Sequence, residues 1–175
     1  FAEYDRVAVR KTFRRLETNI APTLLSLFET RTDHGDTATV LYYFMVKLVD
    51  CPHCHNQIDL FKSRIFSANA VPKKDPSARA VCPVCGMIVH THYDSESAVC
   101  VACNHQFNPQ KGSVIGSMVH CPDCHSDFKL VDVMRSRNGP LGYRRYAKMI
   151  LLQDGTKKYE PMNDYDRELE KRIAV

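Results

Sequence analysis

AVCPVCGMIVHTHYDSESAVCVACNHQF, residues 80–107, carries two C-x-x-C pairs, Cys82/Cys85 and Cys100/Cys103. The same unit recurs on either side, as LVDCPHCHNQIDL around Cys51/Cys54 and MVHCPDCHSDFKL around Cys121/Cys124. All eight cysteines of the chain fall into these four pairs. A disulfide framework rarely spaces every cysteine this way. Paired C-x-x-C units instead match tetrahedral Zn²⁺ sites, two pairs to a metal. Thioredoxin-type redox chemistry would need one pair ahead of a helix in a βαβ unit. Free thiolate ligands also imply a reducing compartment, so the expected location is cytosolic.

Spacing ranks the ways in which pairs share a metal. Fourteen residues separate Cys85 from Cys100, and Tyr93 to Ser97 suits a hairpin turn between them. Joining those two pairs leaves Cys51/Cys54 with Cys121/Cys124, one ribbon nested in the other, and this arrangement ranks first. The sequential alternative joins Cys51/Cys54 to Cys82/Cys85 across 27 residues and Cys100/Cys103 to Cys121/Cys124 across 17. An interleaved pairing ranks last.

The surroundings of the four pairs repeat. Each has apolar residues before its first cysteine and one shortly after its second: Ile58, Phe107 and Phe128 four beyond, Ile88 three beyond. This is the zinc knuckle, a tight turn whose backbone N–H groups point at sulfur. Two facing knuckles on hairpins make a ribbon. Four sulfurs close a tetrahedron, so His53, His55, His90, His92, His105, His120 and His125 read as hydrogen-bond donors behind the ligands or as surface residues. A closed Cys₄ site has no open position and cannot activate water. No serine elbow, H-E-x-x-H or isolated cysteine offers another catalytic centre, and no catalytic residue is assigned. Asp164, Asp166, Glu168 and Glu170 read as solvated acids on a surface helix.

The formal charge is +4. Eight thiolates subtract eight and two Zn²⁺ add four, which brings the metal-loaded chain to neutrality. Only local patches could then attract a polyanion. No apolar run is long enough to span a bilayer, so no membrane partner is expected. The first residue is Phe1, not Met, and reads as an internal residue of a longer chain or a product of processing.

Three regions follow. Residues 1–36 form a helical lead-in, with Val9, Phe13, Leu16, Ile20, Leu24 and Phe28 at steps of three and four and a kink or break at Pro22. Arg6, Arg10, Lys11, Arg14 and Arg15 lie mostly off that stripe. Residues 37–130 hold the double ribbon, entered by a strand over 37–49. A proline-containing insert, FKSRIFSANAVPKKDPSARA, reads as a loop with a short helical turn. Residues 131–175 are the most basic, with ten Lys/Arg against seven Asp/Glu. They hold a flexible loop with Asn138, Gly139, Pro140 and Gly142, a hairpin with Asp154-Gly155 at a type I′ turn, and a helix capped by Asn163 or Asp164. The expected fold is a small, zinc-stabilised α+β protein: two zinc ribbons of short antiparallel hairpins, an N-terminal helix, and a C-terminal hairpin plus helix.

LYYFMVKLVDCPHCHNQIDLFKSRIFS, ARAVCPVCG, YDSESAVCVACNHQFNPQKGSVIGS, VHCPDC and RRYAKMILLQDGTKKYEP together resemble the zinc-ribbon region of prokaryotic adenine-specific DNA methyltransferases. In that family the stretch is an insert within a Rossmann-like methyltransferase domain. The resemblance covers roughly residues 38–166. It implies that Cys51, Cys54, Cys82, Cys85, Cys100, Cys103, Cys121 and Cys124 hold two structural Zn²⁺. The family's catalytic motif, Asp or Asn before two prolines and an aromatic residue, is absent. So is the glycine-rich S-adenosylmethionine loop. S-adenosylmethionine would therefore be bound only by the parent enzyme. The implied role is an accessory domain of a prokaryotic, cytoplasmic methyltransferase, of the kind found in restriction-modification, that helps engage double-stranded DNA while packing on the methyltransferase core. Arg135, Arg137, Arg144, Arg145, Lys148, Lys157 and Lys158 are the expected DNA contacts, because only Asp154 opposes them within 24 residues. The alternative is a structural or protein-interaction module without DNA contact.

Overall fold

Asp5 opens the first helix by accepting hydrogen bonds from the amides of Val7 and Ala8, two of the four that a helix start leaves without partners. In the computed structural model, which describes residues 5–137 and 139–173, this helix, α1 (Arg6–Ser26), continues through Pro22 as one element. It is not divided there, as the sequence suggested. Phe1 and Asn138 lie outside the described residues. The further elements are β1 (Glu29–Arg31), β2 (Thr37–Asp50), β3 (Gln57–Asp59), β4 (Ile65–Ala68), β5 (Ser77–Val81), β6 (Ile88–His92), β7 (Ala98–Val99), β8 (Gln106–Phe107), β9 (Val114–Ile115), β10 (Met118–His120), β11 (Asp127–Lys129), α2 (Leu130–Ser136), β12 (Gly142–Leu151), β13 (Lys157–Pro161) and α3 (Asp164–Ile173). The described residues thus form a small α+β fold of antiparallel hairpin sheets and three helices. One sheet has the order β1-β2-β12-β13 with β3 also on β2; the others are β11-β10-β9, β4-β5-β6 and β7-β8. No helix among the described residues is long and apolar enough to cross a membrane.

The chain divides into two compact units, with boundaries inside β2, β12 and β13. The first comprises Phe1–Leu41, Ile150–Lys158 and Asn163–Val175. It contains the same turn twice. At the β1–β2 corner, Thr32 N–H bonds to Asp36 O and Gly35 N–H to Thr32 O; at the β12–β13 corner, Leu152 N–H bonds to Thr156 O and Gly155 N–H to Leu152 O. Only the glycine of each loop has positive φ, +86° at Gly35 and +85° at Gly155. A type I′ turn needs positive φ at both central residues. The Asp154-Gly155 corner is therefore a type I turn closed by a left-handed glycine. Asn163 and Asp166 cap α3 reciprocally: the Asp166 amide donates to Asn163 Oδ1 at 3.0 Å, and the Asn163 amide to Asp166 Oδ2 at 3.0 Å. Asp166 is not solvated. It is buried and also accepts from Thr30 Oγ1 at 2.6 Å.

The second unit, Tyr42–Met149 with Tyr159–Met162, contains every cysteine. Its insert departs from the loop expected there, since β4 and β5 pair as a hairpin. The alternation Ala78, Ala80 on β5 supplies the reason: both side chains are buried, and Val81 follows them into the core. Val46, Leu48, Phe61 and Val81 pack together with Phe66 and Tyr146 beside them. Phe66 meets Phe44 edge-on at 4.9 Å, and Phe61 meets Tyr146 edge-on at 5.0 Å. Burial pushes the Tyr146 hydroxyl up to about 12. After β11, residues read as loop instead form α2, whose Leu130 and Val133 pack against the core of β2, β3, β10 and β11.

Candidate metal centres

The four C-x-x-C turns share one backbone plan. In each, the residue two before the first cysteine pairs across a hairpin with the residue four after the second: Val49 with Ile58, Ala80 with Val89, Ala98 with Phe107, Val119 with Phe128. The equivalent in the second turn is thus Val89 rather than Ile88, and Val89 is the buried one. The first cysteine's amide bonds across the turn to Asn56, Met87, His105 or Ser126. The amide just after the second cysteine bonds back to the first cysteine's carbonyl, from His55, Gly86, Asn104 or His125. That last residue is left-handed every time, with φ of +63°, +73°, +57° and +58°. Only glycine adopts this conformation without strain. His55 and His125 thus owe their place to the turn of the backbone, a constraint the reading of the histidines as donors did not include.

These turns bring the sulfurs into two groups. Cys51, Cys54, Cys121 and Cys124 form one; Cys82, Cys85, Cys100 and Cys103 form the other. Within each, all sulfurs lie within 4.8 Å of one another. The nearest pairs across the hairpins are Cys51–Cys124 at 3.7 Å, Cys54–Cys121 at 3.6 Å, Cys82–Cys103 at 3.6 Å and Cys85–Cys100 at 3.5 Å. Disulfide sulfurs would be about 2.05 Å apart, so all eight are free. Four sulfurs each about 2.3 Å from one zinc ion lie about 3.8 Å from one another. The donor set and spacing therefore fit a tetrahedral, thiophilic metal ion.

The first group packs under Val49, Ile58, Val114, Val119 and Phe128, the second under Val89 and Ala98. In each pair the first cysteine is buried and the second more exposed. Electrostatics within the groups are uneven. Burial opposes the Cys51 thiolate, but the amides of Cys54 and His53 and the Ser126 hydroxyl outweigh it and lower the thiol to about 6. Burial likewise opposes Cys100, and the amides of Cys103 and Ala102 bring it down to about 7. Cys54 accepts from the Asn56 amide, yet burial and the neighbouring thiols push it up to about 12. Burial and the same crowding push Cys85 up to about 12. One cluster cannot hold four negative sulfurs without a cation among them.

No histidine joins either group among the described residues. His120 Nδ1 lies 3.0 Å from Asp127, and His105 stacks on Phe107. A residue the motif reading passed over is Ser126. Its hydroxyl lies 3.0 Å from Cys124 Sγ and 3.5 Å from Cys51 Sγ. The equivalent positions in the other turns are Asn56, Met87 and His105, so this hydroxyl is particular to the first group. Its position two after the second cysteine was the available signal.

The seven cations expected to contact DNA lie in different environments. Lys148 is fully buried within β12, which removes it from any surface contact. Arg144 forks onto both carboxylate oxygens of Asp59, its Nε at 3.0 Å. Arg137 lies 3.7 Å from Asp50, and the Arg145 guanidinium rests 4.5 Å from the centre of the Tyr43 ring. Arg135 is exposed in the last turn of α2. Lys157 and Lys158 are exposed on β13. The chain matches no family model, no curated protein and no solved structure.

Proposed function

We propose that the chain is a double zinc ribbon. Each tetrad binds one structural Zn²⁺, with the Cys82/Cys85–Cys100/Cys103 ribbon nested inside the Cys51/Cys54–Cys121/Cys124 ribbon. The observation that carries this is the gathering of eight free thiols into two tetrads at near-tetrahedral spacing. Zinc here closes hairpins whose ladders are otherwise two to five residue pairs long. On the sequence resemblance, the module serves an adenine-specific DNA methyltransferase as an accessory domain that grips duplex beside the target base. Arg135, Lys157 and Lys158 are exposed and support this role.

The second reading, an interaction module without DNA contact, gains from the burial of Lys148 and the commitment of Arg144 to Asp59. Elemental analysis tests the zinc reading, with two zinc ions per chain expected; one or none overturns it. Duplex binding against salt separates the two roles. If Arg135, Lys157 and Lys158 touch phosphates, changing all three to alanine lowers the slope of log affinity against log salt by roughly 0.9 for each phosphate no longer neutralised. An unchanged slope favours the interaction module. Calorimetry with S-adenosylmethionine should give no binding, because the chain has no cofactor loop.

A further inference from the structure

None of the residues of α1 is buried. Val9, Phe13, Leu16, Ile20 and Leu24 nevertheless form a stripe along it at steps of four, three, four and four, each between 46% and 64% exposed. A helix draws most of its stability from packing such a stripe, and this one leaves every residue of it about half or more exposed. The first three steps are those of a two-helix seam, with Val9 and Leu16 at d positions and Phe13 and Ile20 at a positions of a heptad, and Leu24 falls at the following e position. Pro22 falls at a c position, off the seam, where it leaves a partner's approach open.

The charges on α1 select the partner. Arg6, Arg10, Lys11, Arg14 and Arg15 crowd its first half. Residues 19–26 carry no charge at all. Two copies side by side in parallel would set five cations against five. Two antiparallel copies set each cationic half against a neutral one and oppose their helix dipoles. With Phe13 of one helix opposite the partner's Leu16, Val9 meets the partner's Ile20. The flanking e positions then bring Arg10 opposite the partner's Glu17, and the two-fold axis repeats that pair. Glu17 is the single acid of the helix, and neither it nor Arg10 has an ion-pair partner among the described residues.

We infer that α1 is a dimerisation helix: two copies of this chain associate through antiparallel α1 helices, seamed by Val9, Phe13, Leu16 and Ile20 and held in register by reciprocal Arg10–Glu17 pairs. The inference is independent of zinc and of any DNA role.

Sedimentation equilibrium of the whole chain tests it. A dimer is expected. Leu16→Asp with Ile20→Asp, both at exposed positions, should leave a monomer at every concentration. Charge exchange tests the register without touching the seam. Glu17→Arg places like charges together twice and should weaken the dimer roughly tenfold. Adding Arg10→Glu to it should restore the original constant to within about twofold. A chain monomeric at roughly 0.1 mM overturns the proposal. So does a dimer indifferent to the Asp substitutions, or an exchange that fails to restore. If the chain instead stays monomeric and sediments with phosphatidylglycerol vesicles through α1, the stripe serves an anionic lipid surface and the dimer is wrong.

Discussion

Gly86 is the one residue of its kind among four equivalents: the other three left-handed knuckle positions hold His55, Asn104 and His125. A Cβ at Gly86 would meet nothing within 4 Å, so Gly86→Ala isolates the torsional cost of φ = +73°. It should destabilise the metal-loaded protein by about 1 kcal/mol in urea titrations at fixed free zinc. The converse change, His125→Gly, should stabilise by about 0.5 kcal/mol, since relief of left-handed strain is partly offset by a freer unfolded chain. Gly112 differs in kind. A Cβ there would sit 2.0 Å from the carbonyl oxygen of Phe61, where Gly112 and Val114 donate to the 61–62 segment. Gly112→Ala therefore forces backbone apart and should cost about 3 kcal/mol in the same titration. Ser126→Ala removes the hydroxyl beside Cys124 and Cys51. Competition with a chromogenic chelator should then show roughly tenfold weaker zinc binding at one site and an unchanged second site.

Among the elements, the hairpins differ in how much of their own core they bring. β5 and β6 pair over five residues, whereas β7 and β8 pair over two. A two-residue ladder holds too few bonds to persist alone, so the β7–β8 turn depends on its tetrad more than any other. Cys103→Ser should accordingly melt the β7–β8 hairpin before β5–β6, read as faster amide exchange at Ala98 and Phe107 than at Ala80 and Val89, the positions that bond across each ladder. Equal exchange at the four would show that the ladder, not the metal, sets local stability. The hairpins and C-terminal helix were legible in advance because alternation, Asp-Gly and Asn-x-x-Asp are local signals. β4 and β5 were not, since Pro72 and Pro76 disguise a hairpin whose prolines fall in its turn or just before its second strand. α2 was hidden for another reason. Its seven residues are too few to show a period, and its apolar face exists only against the shared core of β2, β3, β10 and β11.

At the scale of the molecule, the second unit has its core in three small clusters, two of which include cysteines. If each tetrad holds zinc as proposed, removing it leaves four neighbouring thiols that cannot all ionise. Chelation should therefore abolish the far-ultraviolet signature of residues 51–130 and release two zinc ions per chain. Retained circular dichroism after metal loss would contradict this. The identity of the eight candidate ligands was legible in the sequence alone, because a C-x-x-C turn aims its own amides at its own sulfurs and needs nothing distant. Which turns face each other was decided by the tertiary structure. Strands β2 and β3 meet β10 and β11 through Val49, Ile58, Val119 and Phe128, and that shared apolar core carries Cys51/Cys54 to Cys121/Cys124 across 66 residues. The fate of the cations was likewise tertiary. A lysine in β12 and an arginine four residues before it look alike in sequence, but the neighbouring strands bury one and give the other Asp59. Charge counts along a chain record how many cations exist, and only packing assigns each of them to water, to a carboxylate or to the interior.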